Sequence, residues 1–473
     1  MDQTDRIFMD GEWVRSASTA TLGFVNPATE ELSGTVPAGA AEDVEYAVAA
    51  AKRAFPAWSA TEPGERIAWL RALAAELRDN VEEIAVAAAT DVGTPVRPGR
   101  QIHALGPAGN LQTTADALAS FPMETRDGDL GITRDPVGVV ACITPWNYPL
   151  HQVTAKIAPA LAAGCTVTLK PSEVAPLSVW RLMEAVEAVG LPPGVVNLVS
   201  GTGPTIGEAL VRHPDVEMVS FTGSARAGSR VAQLAAGAIK RATLELGGKS
   251  ANIVLDDVSD LGAIVEAGVA SVLQNSGQTC SALTRMLVPR AMVRDVCDHA
   301  VEAVGRRRLG DPMDEETDLG PLVSAVQRDR VRKYIQAGIH EGARLVAGGL
   351  GLPEHARRGF YVAPTVFCDV RPDMIIARHE IFGPVLSIMS YETEHEAVEL
   401  ANDTPFGLSG AVWSADVERA ERVAKRLRTG QVKINGGAFN PAAPFGGYKQ
   451  SGIGRELGAY GLEEFLEVKA LLY

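Results

Sequence analysis

An alternation of β-rich and helical segments constrains the fold of this chain more than any other feature. From residue 137 onward, short apolar runs rich in β-branched residues alternate with segments whose apolar residues recur at helical spacing. The runs that predict strands are 137–144, 165–169, 195–199 and 216–221, and those that predict helices are 152–163, 174–189 and 206–212. Parallel strands need crossover connections that are usually helical. The pattern therefore predicts a parallel sheet covered by helices, as in the α/β class.

A second alternation follows residue 245 and predicts a second α/β unit. It begins with strand 252–255, helix 261–273 and strand 285–288, and it continues to Ile434. Outside the two alternations we predict helices over 42–57 and 65–90 with Pro63-Gly64 between them, a polar extended segment over 121–134 and a strand over 465–473. A chain of 473 residues exceeds what one hydrophobic core usually holds, so we expect more than one domain.

Composition argues against several functional classes. The formal net charge of −14 argues against a nucleic-acid partner, which normally meets a basic surface. The polar start, Met1-Asp2-Gln3-Thr4-Asp5, lacks the basic and apolar regions of a signal peptide. No apolar run is long enough to cross a bilayer, and the alanine-rich stretch 81–90 fits a buried helix. We therefore expect a cytoplasmic protein with no membrane partner.

The cysteines are few and widely spaced. They stand at positions 142, 165, 280, 297 and 368, and none belongs to a CxxC pair. We therefore expect no structural zinc or other metal site and no disulfide frame, and a reducing cytoplasm would keep the thiols free. Four of the five are interpreted as small buried hydrophobes. Cys280 differs, because it ends the string Gly277-Gln278-Thr279-Cys280 after an apolar segment.

Cys280 suits attack on a carbonyl carbon, because cysteine is the most readily activated side-chain nucleophile. Only ~3% of a free thiol is ionised at pH 7, so Cys280 needs a local base or an electropositive setting. Asn147, in Pro145-Trp146-Asn147-Tyr148-Pro149, can donate to an oxyanion. Glu245, before Gly247-Gly248, can act as a base if its pKa is raised. Each residue also has a simpler interpretation when it is taken alone. Asn147 can be a turn former, and Glu245 can be a glutamate on a solvated surface.

Three segments suit a bound nucleotide. Phe221-Thr222-Gly223-Ser224 follows a predicted strand and would open a helix, whose first N–H groups can hold a phosphate. Lys170-Pro171-Ser172-Glu173 ends another predicted strand, where side chains of open α/β sheets meet a nucleotide. The stretch 201–207 is similar to the dinucleotide fingerprint but has one residue too many before its last glycine, so it is weak evidence.

Together these motifs resemble the aldehyde dehydrogenase superfamily, and the resemblance runs along essentially the whole chain. It implies that Cys280 adds to the aldehyde carbon, that Asn147 and the Cys280 backbone N–H hold the oxyanion, and that hydride then passes to a nicotinamide. It also implies that Glu245 activates water against the thioester that remains. Lys156 and Glu456 match positions that support proton relay, and a plain salt bridge explains them almost equally well.

The cofactor implied by the resemblance is NAD, with NADP possible. Glu173 favours NAD, because a carboxylate near the adenosine ribose would repel a 2′-phosphate. Glu380, in Glu380-Ile381-Phe382-Gly383-Pro384, matches the residue that grips the nicotinamide ribose. The residues expected to bind the cofactor are Thr144, Pro145, Trp146, Lys170, Ser172, Glu173, Gly203, Gly223, Ser224, Leu246, Glu380 and Phe382.

The resemblance also implies a domain organisation. The expected fold class is α/β, with a Rossmann-like parallel-sheet nucleotide domain, an α/β catalytic domain and a small β oligomerisation arm. The predicted boundaries are 1–120 and 137–246 for the NAD-binding domain, 247–445 for the catalytic domain, and 121–136 and 455–473 for the arm. Since unpaired strand edges need cover, we expect a homodimer or homotetramer.

The expected partner is a small-molecule aldehyde. The family's substrate positions correspond here to Tyr148, Gln274, Ser281 and Phe439, with Val153, Thr154, Leu273 and Ala438 beside them. No lysine or arginine stands among these, which disfavours a dicarboxylate semialdehyde. Ala155 stands where several relatives carry tryptophan, which widens the pocket and removes an aromatic wall that a quaternary ammonium would want. We predict a mid-sized uncharged aldehyde, aliphatic or aromatic.

Three alternatives remain open. A relative that hands the acyl group to coenzyme A generally lacks the glutamate base, so Glu245 argues against it. A non-catalytic protein with this fold would not need Asn147, Glu245, Cys280 and Glu380 together. A thiol protease is conceivable from one cysteine, but no histidine lies close to Cys280 in sequence.

Overall fold

The structure is a computed structural model that describes residues 3–473, and it contains two large sheets. The first sheet has six strands, with every neighbouring pair parallel except the first. Their spatial order is Gly452–Ile453, Arg241–Glu245, Met218–Thr222, Val139–Ile143, Thr166–Lys170 and Val196–Leu198. The helices of this unit are Pro149–Ala163, Leu177–Val189, Glu208–Arg212 and Ala225–Ala236, with a π-helical turn at Gly203–Gly207. The predicted strands of this sheet are confirmed to within about two residues at each end.

The second sheet has seven strands and lies later in the chain. It is parallel except for its first strand. The spatial order is Arg344–Ala347, Thr365–Cys368, Val385–Tyr391, Arg285–Pro289, Ala251–Val254, Ser409–Trp413 and Gln431–Ile434. The accompanying helices are Leu261–Leu273, Val293–Gly305, Ala325–His340, Ile375–Arg378, Glu394–Asn402 and Val417–Ala424. Short 3-10 turns lie at Gln274–Gly277, Arg290–Met292, Glu354–Ala356 and Lys449–Ser451, and a helix at Gly458–Glu463.

The first 120 residues hold elements that the sequence pattern did not predict. Two antiparallel strand pairs open the described chain, Ile7–Met9 with Glu12–Val14 and Thr21–Val25 with Leu32–Pro37. Helices follow at Ala41–Ser59, Pro63–Asp79, Val81–Asp91, Val96–Gly99 and Gly106–Ser120, with a π-helical turn at Arg100–Leu105. The prediction of a single helix over 65–90 was wrong, because the helix Pro63–Asp79 ends at Asn80, whose side-chain amide donates to the Glu76 carbonyl. Pro63 lies in the first helical turn, where proline is tolerated.

A third, three-stranded antiparallel sheet stands apart from both large sheets. Its strands are Leu466–Leu472, Leu130–Pro136 and Glu124–Asp127, in that spatial order. The strand Leu466–Leu472 is one of the two edge strands, and Val468 and Leu472 are 62% and 83% exposed there. Within residues 3–473, no helix has both the length and the apolar character needed to cross a membrane.

The prediction of no disulfide was wrong, because Cys297 and Cys368 are paired. Cys297 lies on the helix Val293–Gly305 and Cys368 ends the strand Thr365–Cys368, and this helix packs on the second sheet. The packing brings the two Cα atoms to 6.4 Å across a separation of 71 residues, a distance that a disulfide spans. Spacing along the chain carries no sign of such a contact. Cys142, Cys165 and Cys280 are free.

Candidate active site

Cys280 lines two cavities at once. The first cavity, of about 200 Å³, is lined by Pro145, Trp146, Asn147, Gln152, Thr222, Gly223, Ser224, Leu246, Gly247, Cys280, Gln327, Arg330, Glu380 and Phe382. The second cavity, of about 280 Å³, is lined by Gln101, Ile102, Gly106, Tyr148, His151, Gln152, Gln274, Thr279, Cys280, Ser281, Ser409, Gln431, Lys433, Phe439, Phe445, Glu456 and Leu457. A molecule in either cavity can therefore reach the Cys280 thiol.

The backbone that leads to Cys280 is unusual. Three successive residues, Asn275, Ser276 and Gly277, have φ values of 51°, 55° and 78°. Glycine adopts this left-handed region freely, whereas a residue with a Cβ pays roughly 1–2 kcal/mol for it. At Gly277 a Cβ would also overlap the backbone of Gly383. The chain can therefore turn sharply from the helix Leu261–Leu273 toward Cys280 only with glycine at position 277.

Negatively charged groups surround the Cys280 thiol, so of the two kinds of help considered from the sequence, a local base or an electropositive setting, the second is absent among the residues that the structure describes. Burial raises the pKa of the thiol to about 12, and the nearby carboxylates of Glu245 and Glu380 add to the effect. The thiol is therefore almost wholly protonated at neutral pH unless a positive charge or a base approaches it.

Asn147 lines the first cavity together with Cys280. It follows the strand Val139–Ile143 and precedes the helix Pro149–Ala163. Its side chain is 3% exposed, and its Nδ2 donates to the Gln278 carbonyl at 3.0 Å. An amide nitrogen carries two hydrogens, so the second remains available to an oxyanion near Cys280.

Glu245, Lys156 and Glu456 form a buried charged cluster beside Cys280. Lys156 and Glu456 are joined in an ion pair, and Lys156 also donates to Thr222 Oγ1 at 2.6 Å. Glu245 is 4% exposed, and neither of its carboxylate oxygens has a hydrogen-bond partner among the described residues. Burial raises the pKa of Glu245 well above its ordinary value, and the charge of Glu456 raises it further. Glu245 lines neither cavity, whereas Glu456 lines the second.

The first cavity has the features of a nucleotide site. Ser224 caps the helix Ala225–Ala236 by accepting from Ala227 N at 3.3 Å, so Gly223 and Ser224 present the helix N-terminus to the cavity. A Cβ at Gly223 would lie 2.6 Å from the Phe221 ring, so glycine keeps this approach open. Glu380 accepts from Gly248 N at 2.9 Å through one carboxylate oxygen.

Seven of the twelve residues predicted to bind the cofactor line the first cavity: Pro145, Trp146, Gly223, Ser224, Leu246, Glu380 and Phe382. The other five, Thr144, Lys170, Ser172, Glu173 and Gly203, do not. Thr144 and Lys170 stand close together at the carboxyl edge of the first sheet, where Thr144 N donates to the Lys170 carbonyl at 3.1 Å. Lys170 Nζ also donates to Glu173 at 3.2 Å.

The sequence missed the residues that hold Glu380 and Phe382. The helix Ala325–His340 carries Gln327, which donates to the Phe382 carbonyl at 2.6 Å, and Arg330, which donates to the Glu380 carbonyl at 2.7 Å. No local motif marks these two positions, because their role depends on how this helix packs. Thr222, Gly247 and Gln152 were also missed as lining residues.

All four predicted substrate residues, Tyr148, Gln274, Ser281 and Phe439, line the second cavity. Val153, Thr154 and Ala438 do not, and Leu273 lies on a separate surface cleft. The predicted substrate residues include no lysine or arginine, but Lys433, which lies outside that set, lines the cavity from the strand Gln431–Ile434. His151 lines it too, and burial lowers its pKa to about 4, so it is neutral at physiological pH.

The fold has two mainly parallel sheets covered by helices, and Cys280 lines both a cavity that faces a helix N-terminus and a second cavity. This arrangement defines an enzyme that uses a nucleotide cofactor. The sequence model described as the aldehyde dehydrogenase family matches residues 13–471. The chain is 48% identical over 467 residues to the 3-succinoylsemialdehyde-pyridine dehydrogenase of a Pseudomonas species, covering 98% of each. It is 43% identical over 464 residues to a putative aldehyde dehydrogenase of Staphylococcus haemolyticus, again covering 98% of each.

Solved structures agree with the sequence comparisons. A mutant of aldehyde dehydrogenase C from Pseudomonas syringae, complexed with NAD+ and octanal, superposes with a TM-score of 0.98 at 47% identity, covering 99% of this chain and 97% of that one. An NAD+ complex of the Bacillus cereus aldehyde dehydrogenase gives 0.95 at 39% identity, covering 99% and 96%. The chain belongs to the aldehyde dehydrogenase family and is an NAD(P)-dependent oxidoreductase that converts an aldehyde to a carboxylic acid. The predicted fold class and reaction are confirmed.

Proposed function

We propose that Cys280 is the nucleophile that carries the substrate carbon through this oxidation. The observation that supports it most directly is its position, because Cys280 is the only predicted catalytic residue that lines both cavities. The Cys280 sulfur adds to the aldehyde carbon and forms a thiohemiacetal. The free N–H of Asn147 and the backbone N–H of Cys280 hold the oxygen, and such a donor is typically worth about 10²–10³ in rate.

We propose that Glu245 is the base that releases the product. Once the carbon is oxidised, a thioester remains on Cys280, and a water molecule must lose a proton to attack it. The buried, unpartnered carboxylate of Glu245 has a raised pKa, which suits a base that works near neutral pH. The Lys156–Glu456 ion pair links the second cavity to Thr222 of the first, and we assign it a supporting role in proton transfer.

The first cavity fits NAD, and its residues suggest how the cofactor is held. The N-terminus of the helix Ala225–Ala236 suits the pyrophosphate, and Glu380 suits the nicotinamide ribose. NAD+ held there would supply the acceptor for the hydride that leaves the substrate carbon. The Lys170–Glu173 pair at the sheet edge suits the adenosine ribose, and the Glu173 carboxylate favours NAD over NADP.

We propose that the substrate is a mid-sized uncharged aldehyde, aliphatic or aromatic. The second cavity is walled by the aromatic rings of Tyr148, Phe439 and Phe445 and by amide side chains. His151 is neutral, and Lys433 is exposed, so water screens its charge. The mutant of aldehyde dehydrogenase C was solved with octanal, an uncharged aldehyde of this size, which supports the proposal.

We propose the domain organisation, assembly and location as follows. The NAD-binding domain comprises 1–120 and 137–246, the catalytic domain 247–445, and the arm 121–136 and 455–473. The exposed apolar residues on the edge strand Leu466–Leu472 suit a homodimer or homotetramer, since such an edge invites pairing. A cytoplasmic location would keep Cys280 reduced, and the buried Cys297–Cys368 pair would then be a disulfide that the fold protects in a reducing compartment.

The experiment that tests the mechanism is a rapid-mixing measurement of NADH formation. Cys280→Ala should abolish turnover while the protein still binds NAD. Glu245→Gln should retain the first burst of NADH, of one equivalent per active site, and should slow steady-state turnover by about 10²-fold or more. Loss of the burst in Glu245→Gln would contradict the role given to Glu245, and faster release on adding coenzyme A would favour acyl transfer over hydrolysis.

A further inference from the structure

We propose that Thr94 and His103 are positioning residues, which fix the side-chain amide of Asn275 and through it the two segments that carry Asn147 and Cys280. Neither Thr94 nor His103 lines either of the two cavities that Cys280 borders. The inference rests on the roles proposed above for Asn147 and Cys280.

The hydrogen bonds of Thr94 define the protonation of its neighbour. Its hydroxyl donates to Asn275 Oδ1 at 2.6 Å and lies 2.9 Å from His103 Nε2. A hydroxyl has a single hydrogen, so it must accept from His103, and His103 therefore carries its proton on Nε2. Burial lowers the pKa of His103 to about 3, so the ring is neutral and keeps one tautomer across the working pH range.

Asn275 is held at both ends of its amide. Its Oδ1 accepts from Thr94, and its Nδ2 donates to the backbone carbonyl of Asn147 at 2.8 Å. A flipped amide would set Nδ2 against Thr94 and Oδ1 against that carbonyl, which leaves two acceptors facing each other. The Asn147 carbonyl, which can only accept, therefore fixes which end of the Asn275 amide faces it, and the Thr94 hydroxyl holds the other end by donating to Oδ1.

This contact bears on the strained turn before Cys280. Asn275 and Ser276 both hold left-handed backbone, and each such residue costs roughly 1–3 kcal/mol and persists only where its surroundings over-determine it. Ser276 is secured by a bond from its Oγ to the Gly320 carbonyl at 2.8 Å. Asn275 is secured by Thr94 and Asn147, so loss of the Thr94 hydroxyl removes one of two side-chain anchors at this position.

His103 provides a second connection to the same segments. Its ring stacks on Tyr148 with centroids 5.4 Å apart and planes 21° from parallel. The Tyr148 hydroxyl in turn lies 2.6 Å from Thr279 Oγ1, one residue before Cys280. The Thr94–His103 pair thus supports both the oxyanion donor and the nucleophile, although it touches neither.

The test uses Thr94→Val, which keeps the shape of the side chain and removes its hydroxyl. Asn275 Oδ1 and His103 Nε2 then lose their partner, and a small displacement of reacting groups can lower a rate by up to about 10². We expect the rate of the NADH burst to fall at least about tenfold, with the dissociation constant for NAD unchanged. Thr94→Ser should restore the burst rate to within about twofold.

Thr166→Val is the matched control. It removes a buried hydroxyl that bonds the Ala51 carbonyl at 3.0 Å in the first sheet, away from both cavities. It should lose thermal stability comparably to Thr94→Val while keeping the wild-type burst. A similar loss of burst in both variants, or a burst in Thr94→Val within twofold of wild type, would overturn the inference.

His103→Phe gives a second, milder test, because it keeps the ring on Tyr148 and removes the Nε2 donor. We expect it to slow the burst by about threefold, and the double variant with Thr94→Val to be no slower than Thr94→Val alone, since both act through one amide. If the slowing in the double variant were the product of the two single effects, Thr94 and His103 would not act through one amide. Cys280→Ala and Asn147→Ala test the proposed mechanism itself. A burst of NADH that survives in them would refute that mechanism and not this inference alone.

Discussion

The sharpest prediction concerns the ionisation of Cys280 in the enzyme without cofactor. Burial and the carboxylates of Glu245 and Glu380 raise its pKa to about 12 from 9.0. At pH 7.5 the thiolate fraction is then roughly a thousandfold below that of an unperturbed thiol. A thiolate of higher pKa is intrinsically more nucleophilic, which raises the rate constant of the thiolate about twentyfold. We therefore expect iodoacetamide to alkylate Cys280 about fiftyfold more slowly than a simple thiol at this pH.

The pH profile of alkylation separates ionisation from access. If access alone limited the reaction, the rate would level off near pH 9 at a low value. With the raised pKa, the rate should climb about tenfold per pH unit through pH 10 without levelling. Adding NAD+, whose nicotinamide ring is cationic, should lower the apparent pKa and speed the reaction.

Mass spectrometry of the labelled peptide gives the assay, with Cys280→Ser as the blank. Cys142 and Cys165 are 0% exposed and should stay unlabelled in the folded protein. Glu380→Gln should shift the profile to lower pH, because it removes one of the charges that oppose ionisation. A plateau near pH 9 in the cofactor-free protein would refute the reasoning.

Three further predictions concern stability, thiol count and selectivity. Lys249 is 1% exposed, and burial lowers its pKa to about 7 from 10.5, so the free energy of unfolding falls as the pH drops from about 10 to about 7. The penalty reaches at most about 5 kcal/mol, so Lys249→Met should raise the melting temperature by up to about 5 °C at pH 6 and by little at pH 10.5. Scanning fluorimetry at the two pH values measures this difference. An equal change at both pH values would contradict this. Under denaturing, non-reducing conditions a thiol reagent should count three thiols, rising to five after reduction, and five at the outset would disprove the Cys297–Cys368 pair. Lys433→Met should lower kcat/KM for carboxylate-bearing semialdehydes by about two- to fivefold and leave octanal unchanged, whereas Lys333→Met, exposed on a helix outside both cavities, should change neither ratio.

Much of the first sheet could be predicted, because its central strands are buried on both faces and rich in β-branched residues, and its helices have clear periodicity. The first forty residues could not, because their short strands depend on pairing and on packing against later elements. The helix predicted over 65–90 failed for a local reason, since the Asn80 side chain donates to the Glu76 carbonyl and ends one helix before the next begins. The prediction of no disulfide failed for a tertiary reason, since 71 residues separate the two cysteines along the chain and only folding brings them together.

The sequence by itself determined the α/β class, the family and the candidate residues, because these depend on periodicity and on short motifs such as Gly277-Gln278-Thr279-Cys280. Only the tertiary structure decided their surroundings. The closeness of Glu245 and Glu380 to the Cys280 thiol, the presence of Lys433 beside the second cavity and the contact of Thr94 with Asn275 all join residues far apart in the chain. Charge, burial and hydrogen bonding act across space, so the pKa of a nucleophile and the hold on an oxyanion donor arise only when the chain has folded.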